Sequence, residues 1–163
     1  MGLATHLLLH FTLSILGGWF VFRKYSHAWL AFGSAVAAGV LVDFDHFIDY
    51  LLAFGWHFRL DYFVHGYQFL QSDRIYIFFH GIEYVLAFLL LGLMVKSEVK
   101  KVIFLGLMVG LSLHIGADVA INQIPVRSYS VLYRLTHGFA VQALVTPEHF
   151  RQHLEEKKAT IFQ

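Results

Sequence analysis

Cysteine is absent from this 163-residue chain, proline occurs twice, and charged residues make up only 14% of it. Each shortage excludes something. Without cysteine there is no disulfide framework, no thiolate metal site and no cysteine nucleophile, so any metal must be held by nitrogen and oxygen. Soluble domains carry roughly a quarter charged residues, and a chain that is 58% hydrophobic and 17% aromatic falls well short of that. A membrane is the better solvent for it. What the chain has in excess is imidazole: 11 histidines stand against 12 Lys plus Arg.

Crossing the hydrocarbon core takes about 20 mainly apolar residues. Four stretches qualify: Leu3 to Phe22, Ala28 to Phe54, Ile75 to Val95 and Val102 to Ile121. The first stretch lacks a basic leader and carries His6 and His10, so it reads as a retained helix rather than a signal peptide. Arg23-Lys24 separates the first pair of stretches and Lys96 to Lys101 the second, which makes each pair an antiparallel hairpin. The expected fold is an all-α membrane protein, a bundle of four transmembrane helices with interfacial and C-terminal helices added. Residues 1–145 would form the metal-binding helical domain and residues 146–163 a short polar tail. Glycine and alanine punctuate the spans and let helices approach closely. Gly55 to Arg74, rich in Trp, Phe, Tyr and His, suits the membrane interface. The stretch after Pro125 reads as a partly buried or interfacial helix. Thr146-Pro147 reads as an N-cap followed by a first-turn proline opening the tail helix, on which His149 and His153 would be a solvated pair.

Ionisable groups inside membrane helices are costly and usually mark a functional interior. Here they come in four groups: His6 and His10; Asp43, Asp45, His46 and Asp49; His80 and Glu83; His114 and Asp118. Spacings of three and four put members of a group on one helix face. Threading the hairpins brings the start of the first helix, the end of the second, the start of the third and the end of the fourth to one membrane side. Crowded carboxylates would repel and take up protons unless positive charge lay between them. Imidazole with carboxylate suits zinc, manganese or iron, and more ligands than one zinc takes imply two or three divalent ions. His10 stands equally as an interior hydrogen-bonded residue or a ligand, and Glu83 as a ligand or a general base.

Thr5-His6, Val42-Asp43-Phe44-Asp45-His46, His80-Gly-Ile-Glu83 and His114-Ile-Gly-Ala-Asp118 together resemble the YdjM-like membrane-bound metal-dependent hydrolase family. That family is grouped with zinc-dependent phospholipases C and single-strand nucleases. The resemblance implies a helical fold around a metal cluster, with His6, Asp43, Asp45, His46, His80, His114 and Asp118 as ligands and Glu83 beside them. The frequent His-Arg-Gly-x-Thr-His-Ser motif is absent, and His80-Gly-Ile-Glu83 stands in its place. The expected activity is hydrolysis of a phosphate ester in a lipid or lipid-linked substrate. Glu83 or Asp45 would handle the proton, and Arg134 or Arg74 would bind phosphate. Nucleic acid is not among the expected partners. The expected location is a prokaryotic inner membrane, with the site toward the external face because Arg23, Lys24, Lys96, Lys100 and Lys101 lie opposite it. The alternatives are a haem protein with paired axial histidines and a transporter of metal or protons.

Overall fold

The computed structural model describes residues 2–161; Met1 and the last two residues of the expected tail lie outside them. The described residues are helical, with no strand among them beyond one isolated bridge between Arg74 and Ala140. Three helices are long and apolar enough to cross a membrane: Leu3–Tyr25, Ala28–Phe54 and Glu98–Asn122. The chain divides into two compact units, one of Met1–Val42 with Phe79–Asn122 and the other of Asp43–Phe78 with Gln123–Gln163.

The first unit is built from α1 (Leu3–Tyr25), α2 (Ala28–Val40), α6 (Ile82–Met94) and α7 (Glu98–Asn122). Its core helices α1, α2 and α7 pack on one another, and α6 packs on α7. Small residues make these contacts possible. A Cβ on Gly110 would run into the backbone of Ala35, and one on Gly39 would overlap the Ser14 hydroxyl. With little hydrophobic drive between helices in lipid, such close backbone approach is the main source of attraction. The outward faces stay apolar: Trp29 is 93% exposed, and Leu8 and Phe20 also face outward. Arg23 lies over the Trp19 ring and Lys24 over Tyr25, while His27 pairs with Glu98 at 3.1 Å. The basic and aromatic belt of an interface thus gathers where α1 ends and α7 begins.

The expected third span, Ile75 to Val95, is not one helix. Only Ile82–Met94 is helical, and its 13 residues reach about 20 Å, short of the ~30 Å hydrocarbon core. Gly81, extended at φ −112° and ψ 122°, starts it. The preceding residues are held out of a helix by side chains far away in sequence. In the second unit both Asp49 carboxylate oxygens accept from backbone, Oδ1 from Tyr76 N–H at 2.9 Å and Oδ2 from Ile77 N–H at 3.0 Å. Ile77 itself sits at φ 31°, rare for a β-branched residue. Such a conformation persists where the surroundings over-determine it, and here the Arg134 guanidinium also holds the Ile77 carbonyl, at 2.9 Å.

The second unit comprises α3 (Asp45–Phe54), α4 (Leu60–Val64), α5 (Tyr67–Ser72), α8 (Val131–Thr136), α9 (Val141–Leu144) and α10 (Pro147–Ile161). Tyr50 is its fully buried centre, ringed by Phe54, Phe58 and Phe63. Its hydroxyl donates to the His57 carbonyl and accepts from Arg59 N–H, so the ring is buried without losing its hydrogen bonds. The stretch after Pro125 breaks into a 3-10 turn over Val126–Tyr129 and the short helices α8 and α9. The tail helix α10 opens as its sequence suggests, with His149 N–H donating to Thr146 Oγ1 at 3.2 Å. His153 departs from expectation. It is buried, and its Nε2 meets Asp73 Oδ1 at 2.9 Å, with Lys157 on the other carboxylate oxygen.

Candidate metal centre

Within the first unit, chain segments far apart in sequence bring His6, His10, His80, His114 and Asp118 together. His10, His80, His114 and Asp118 are buried and His6 is half-buried. The spacing of four puts His6 and His10 on one face of α1, with ring centroids 4.2 Å apart. The same spacing puts His114 above Asp118 on α7. His80 arrives from the segment before α6. His10 and His114 stack at 3.9 Å, and His80 meets His114 edge-on at 4.8 Å.

The donor atoms are closer still. Asp118 Oδ1 lies 3.2 Å from His10 Nε2, and its Oδ2 lies 3.3 Å from His114 Nε2 and 3.6 Å from His80 Nε2. The Nε2 atoms of His80 and His114 are 2.9 Å apart. Two overlapping sets, His6/His10/Asp118 and His80/His114/Asp118, each have ligand atoms within 4.8 Å of one another. A tetrahedral ion with bonds near 2.0–2.1 Å puts neighbouring donors roughly 3.4 Å apart. The observed separations bracket that edge length.

Hydrogen bonding fixes which atoms face inward. The Gly39 carbonyl lies 3.0 Å from His114 Nδ1 and can only accept, so Nδ1 carries the proton. In the neutral ring Nε2 then presents a lone pair to Asp118, the orientation a ligating histidine needs. His10 is fully buried, and neither of its nitrogens makes a hydrogen bond; nor does Asp118 Oδ1. The 3.2 Å approach of these two residues therefore lacks hydrogen-bond geometry. Buried polar groups are almost always satisfied, and an exception calls for a reason such as an ion. Close, buried imidazole and carboxylate groups of this kind can bind metal ions. Ser14 Oγ donates to the His10 carbonyl at 2.6 Å, placing the Gly39 contact and the His10 turn at the same level.

Glu83 sits half-buried in the first turn of α6, outside the two close sets. In the second unit, Asp43 Oδ1 lies 3.6 Å from His46 Nε2, and Asp45 is fully buried at the start of α3. Arg134 is also fully buried, donating to the carbonyls of Ser128 and Ile77 at 2.6 and 2.9 Å. Two of its guanidinium nitrogens are thus committed to the main chain. Arg74 is exposed and donates to the Tyr76 hydroxyl at 3.2 Å. The residue that sequence left open, His10, proves central; its signal was the four-residue spacing from His6.

Searches against family models, curated proteins and solved structures find no match. Fold and site together define a helical protein with three helices long and apolar enough to cross a membrane and a buried histidine–aspartate cluster that could hold a metal ion.

Proposed function

We propose that the protein is an integral membrane hydrolase whose centre holds two divalent ions sharing Asp118. One observation carries the reading: the two oxygens of this carboxylate face different histidines, His10 on one side and His80 with His114 on the other. Four imidazoles with one carboxylate suit zinc first, with manganese or iron next. Bound there, the ions would supply Lewis-acid polarisation of a phosphoryl oxygen. The residues of the chain do the rest. Gly39 fixes the His114 tautomer, the apolar bundle around the cluster excludes water, and Glu83 is the proposed proton acceptor. The substrate class is a phosphate ester of a lipid, with the centre toward the external face.

A transport pathway would need polar groups through the span, whereas Phe11 to Phe22 of α1 and Val102 to Leu113 of α7 contain no ionisable residue. A haem would have to fit between rings that already stack at 3.9 Å. The test is elemental analysis of the detergent-purified chain together with phosphate release from lipid phosphate esters in vesicles. Two zinc per chain is the expected content, with release lost on chelation and restored by zinc. His114→Ala should leave about one zinc per chain, in the His6/His10/Asp118 set, and abolish release. Undiminished turnover by metal-free protein would overturn the proposal.

A further inference from the structure

The first unit contains a second feature that the cluster does not use. Between α2, α6 and α7 lies an apolar cleft of about 390 Å³, within the size range of small-molecule sites. Its origin is in side-chain size. Gly110 draws α7 against Ala35 of α2, and Gly92 of α6 seats on Leu105 of α7. Ala37 and Ala38 are too small to fill the space that remains toward α6. Buried Leu111 and Val42 form the floor, and Phe79, Tyr84 and Phe88 form walls. Tyr84 brings the one side-chain hydroxyl of the lining, and no charged residue lines it.

We infer that this cleft holds one hydrocarbon chain of a bilayer lipid and directs its head group toward His80 and His114. The lining comes from α2, α6, α7 and the turn before α6, and α2 and α7 lie in stretches long enough to cross a membrane, so the surrounding medium offers acyl chains and little water. An apolar space of this size left empty loses the contacts of every lining atom, and an acyl chain restores them. The lining also runs directly into the cluster. Phe79 is the neighbour of His80 in the chain, and Leu111 lies three residues before His114 on α7, one turn along the same face. A lipid lying in the cleft therefore has its polar end where the imidazoles are. Binding of the chain stands without the metal reading; the placing of the head group rests on it.

The experiment uses the full-length protein in vesicles of phosphatidylethanolamine and phosphatidylglycerol, doped with a phospholipid carrying a diazirine at the chain terminus. After irradiation, adducts should concentrate on peptides containing Ala38, Leu107 and Leu111, above those at the more exposed Leu8 and Phe20 of α1. Adducts distributed in proportion to exposure would mean ordinary boundary lipid and overturn the inference. This mapping on the unaltered chain needs no variant to fold. Ala38→Leu should then cut cleft adducts about tenfold, the effect of excluding two methylenes from an apolar site, while zinc content stays at the wild-type level. Unchanged adducts in folded Ala38→Leu protein would also count against the cleft. His114→Ala separates the two readings. Loss of about one zinc per chain with cleft adducts retained supports both, whereas cleft adducts that vanish along with that zinc would overturn chain binding as an independent site.

Discussion

His10 Nε2 and Asp118 Oδ1 lie 3.2 Å apart in the interior of the first unit without forming a hydrogen bond. A buried imidazole and carboxylate pressed together without a hydrogen bond leave both polar groups unsatisfied, and a cation near both would relieve that. If two ions share Asp118, losing a histidine from one side and losing the shared carboxylate have unequal effects. His10→Ala should leave about one zinc per chain, and Asp118→Asn should leave almost none. Equal losses, measured by elemental analysis on monodisperse protein, would rule out the shared carboxylate.

The Gly39 carbonyl fixes the His114 tautomer, and a Cβ at Gly39 would overlap Ser14. Gly39→Ala should therefore weaken zinc binding by about 10–100-fold, the usual effect of disturbing a ligand's supporting partner. It should also destabilise the bundle by about 1–3 kcal/mol through overpacking. Ser14→Gly in the same chain removes the obstructing hydroxyl and should restore much of both. Zinc titration and thermal melts of the single and double variants check this, and absence of rescue would show that the overlap is not the cause.

Asp49 accepts two backbone N–H groups, from Tyr76 and Ile77. Asp49→Ala strands both, at about 1–3 kcal/mol for each buried donor left unsatisfied. Hydrogen exchange over residues 74–78 should speed up markedly, while Asn, which keeps one acceptor, should fall between. Exchange at the wild-type rate in the alanine variant would contradict the role given to Asp49.

Asp73 ties the tail helix down through His153 and Lys157. Partial burial pushes its carboxyl pKa up, but hydrogen bonds from Lys157 and His153 outweigh that and leave it below the ordinary 3.8. A lowered folded-state pKa means that the contribution is fully present above the unfolded value and lost as pH falls through the folded one. Docking of α10 should therefore hold at neutral pH and fail only in acid below the usual carboxylate range. Because Asp73 is largely exposed, Asp73→Asn should cost below about 1 kcal/mol and show as faster proteolysis of the tail at neutral pH.

Local signals were legible in the sequence and distant ones were not. The spans around α1 and α7 follow from hydropathy alone, and the tail start follows from Thr146-Pro147, because each depends on neighbouring residues. The shortened α6 could not be read, since Asp49, not any residue near Ile77, holds the preceding segment out of the helix. Arg134 reads from sequence as a phosphate ligand or an interfacial anchor, but its carbonyl partners at Ser128 and Ile77 are set by the fold. Histidine spacing exposed the cluster on α1 and α7. Whether His10 joined it depended on which face of α1 met α7, and small residues on both helices decide that.

The order in which the first-unit cluster residues occur has a consequence for synthesis. His6, His10, His80 and His114 all precede Asp118. A neutral imidazole can enter a bilayer at modest cost, while a carboxylate is expensive there until its partners surround it. Within this cluster the growing chain thus delivers its imidazoles first and its single carboxylate last, when the histidines that will receive it have already been made.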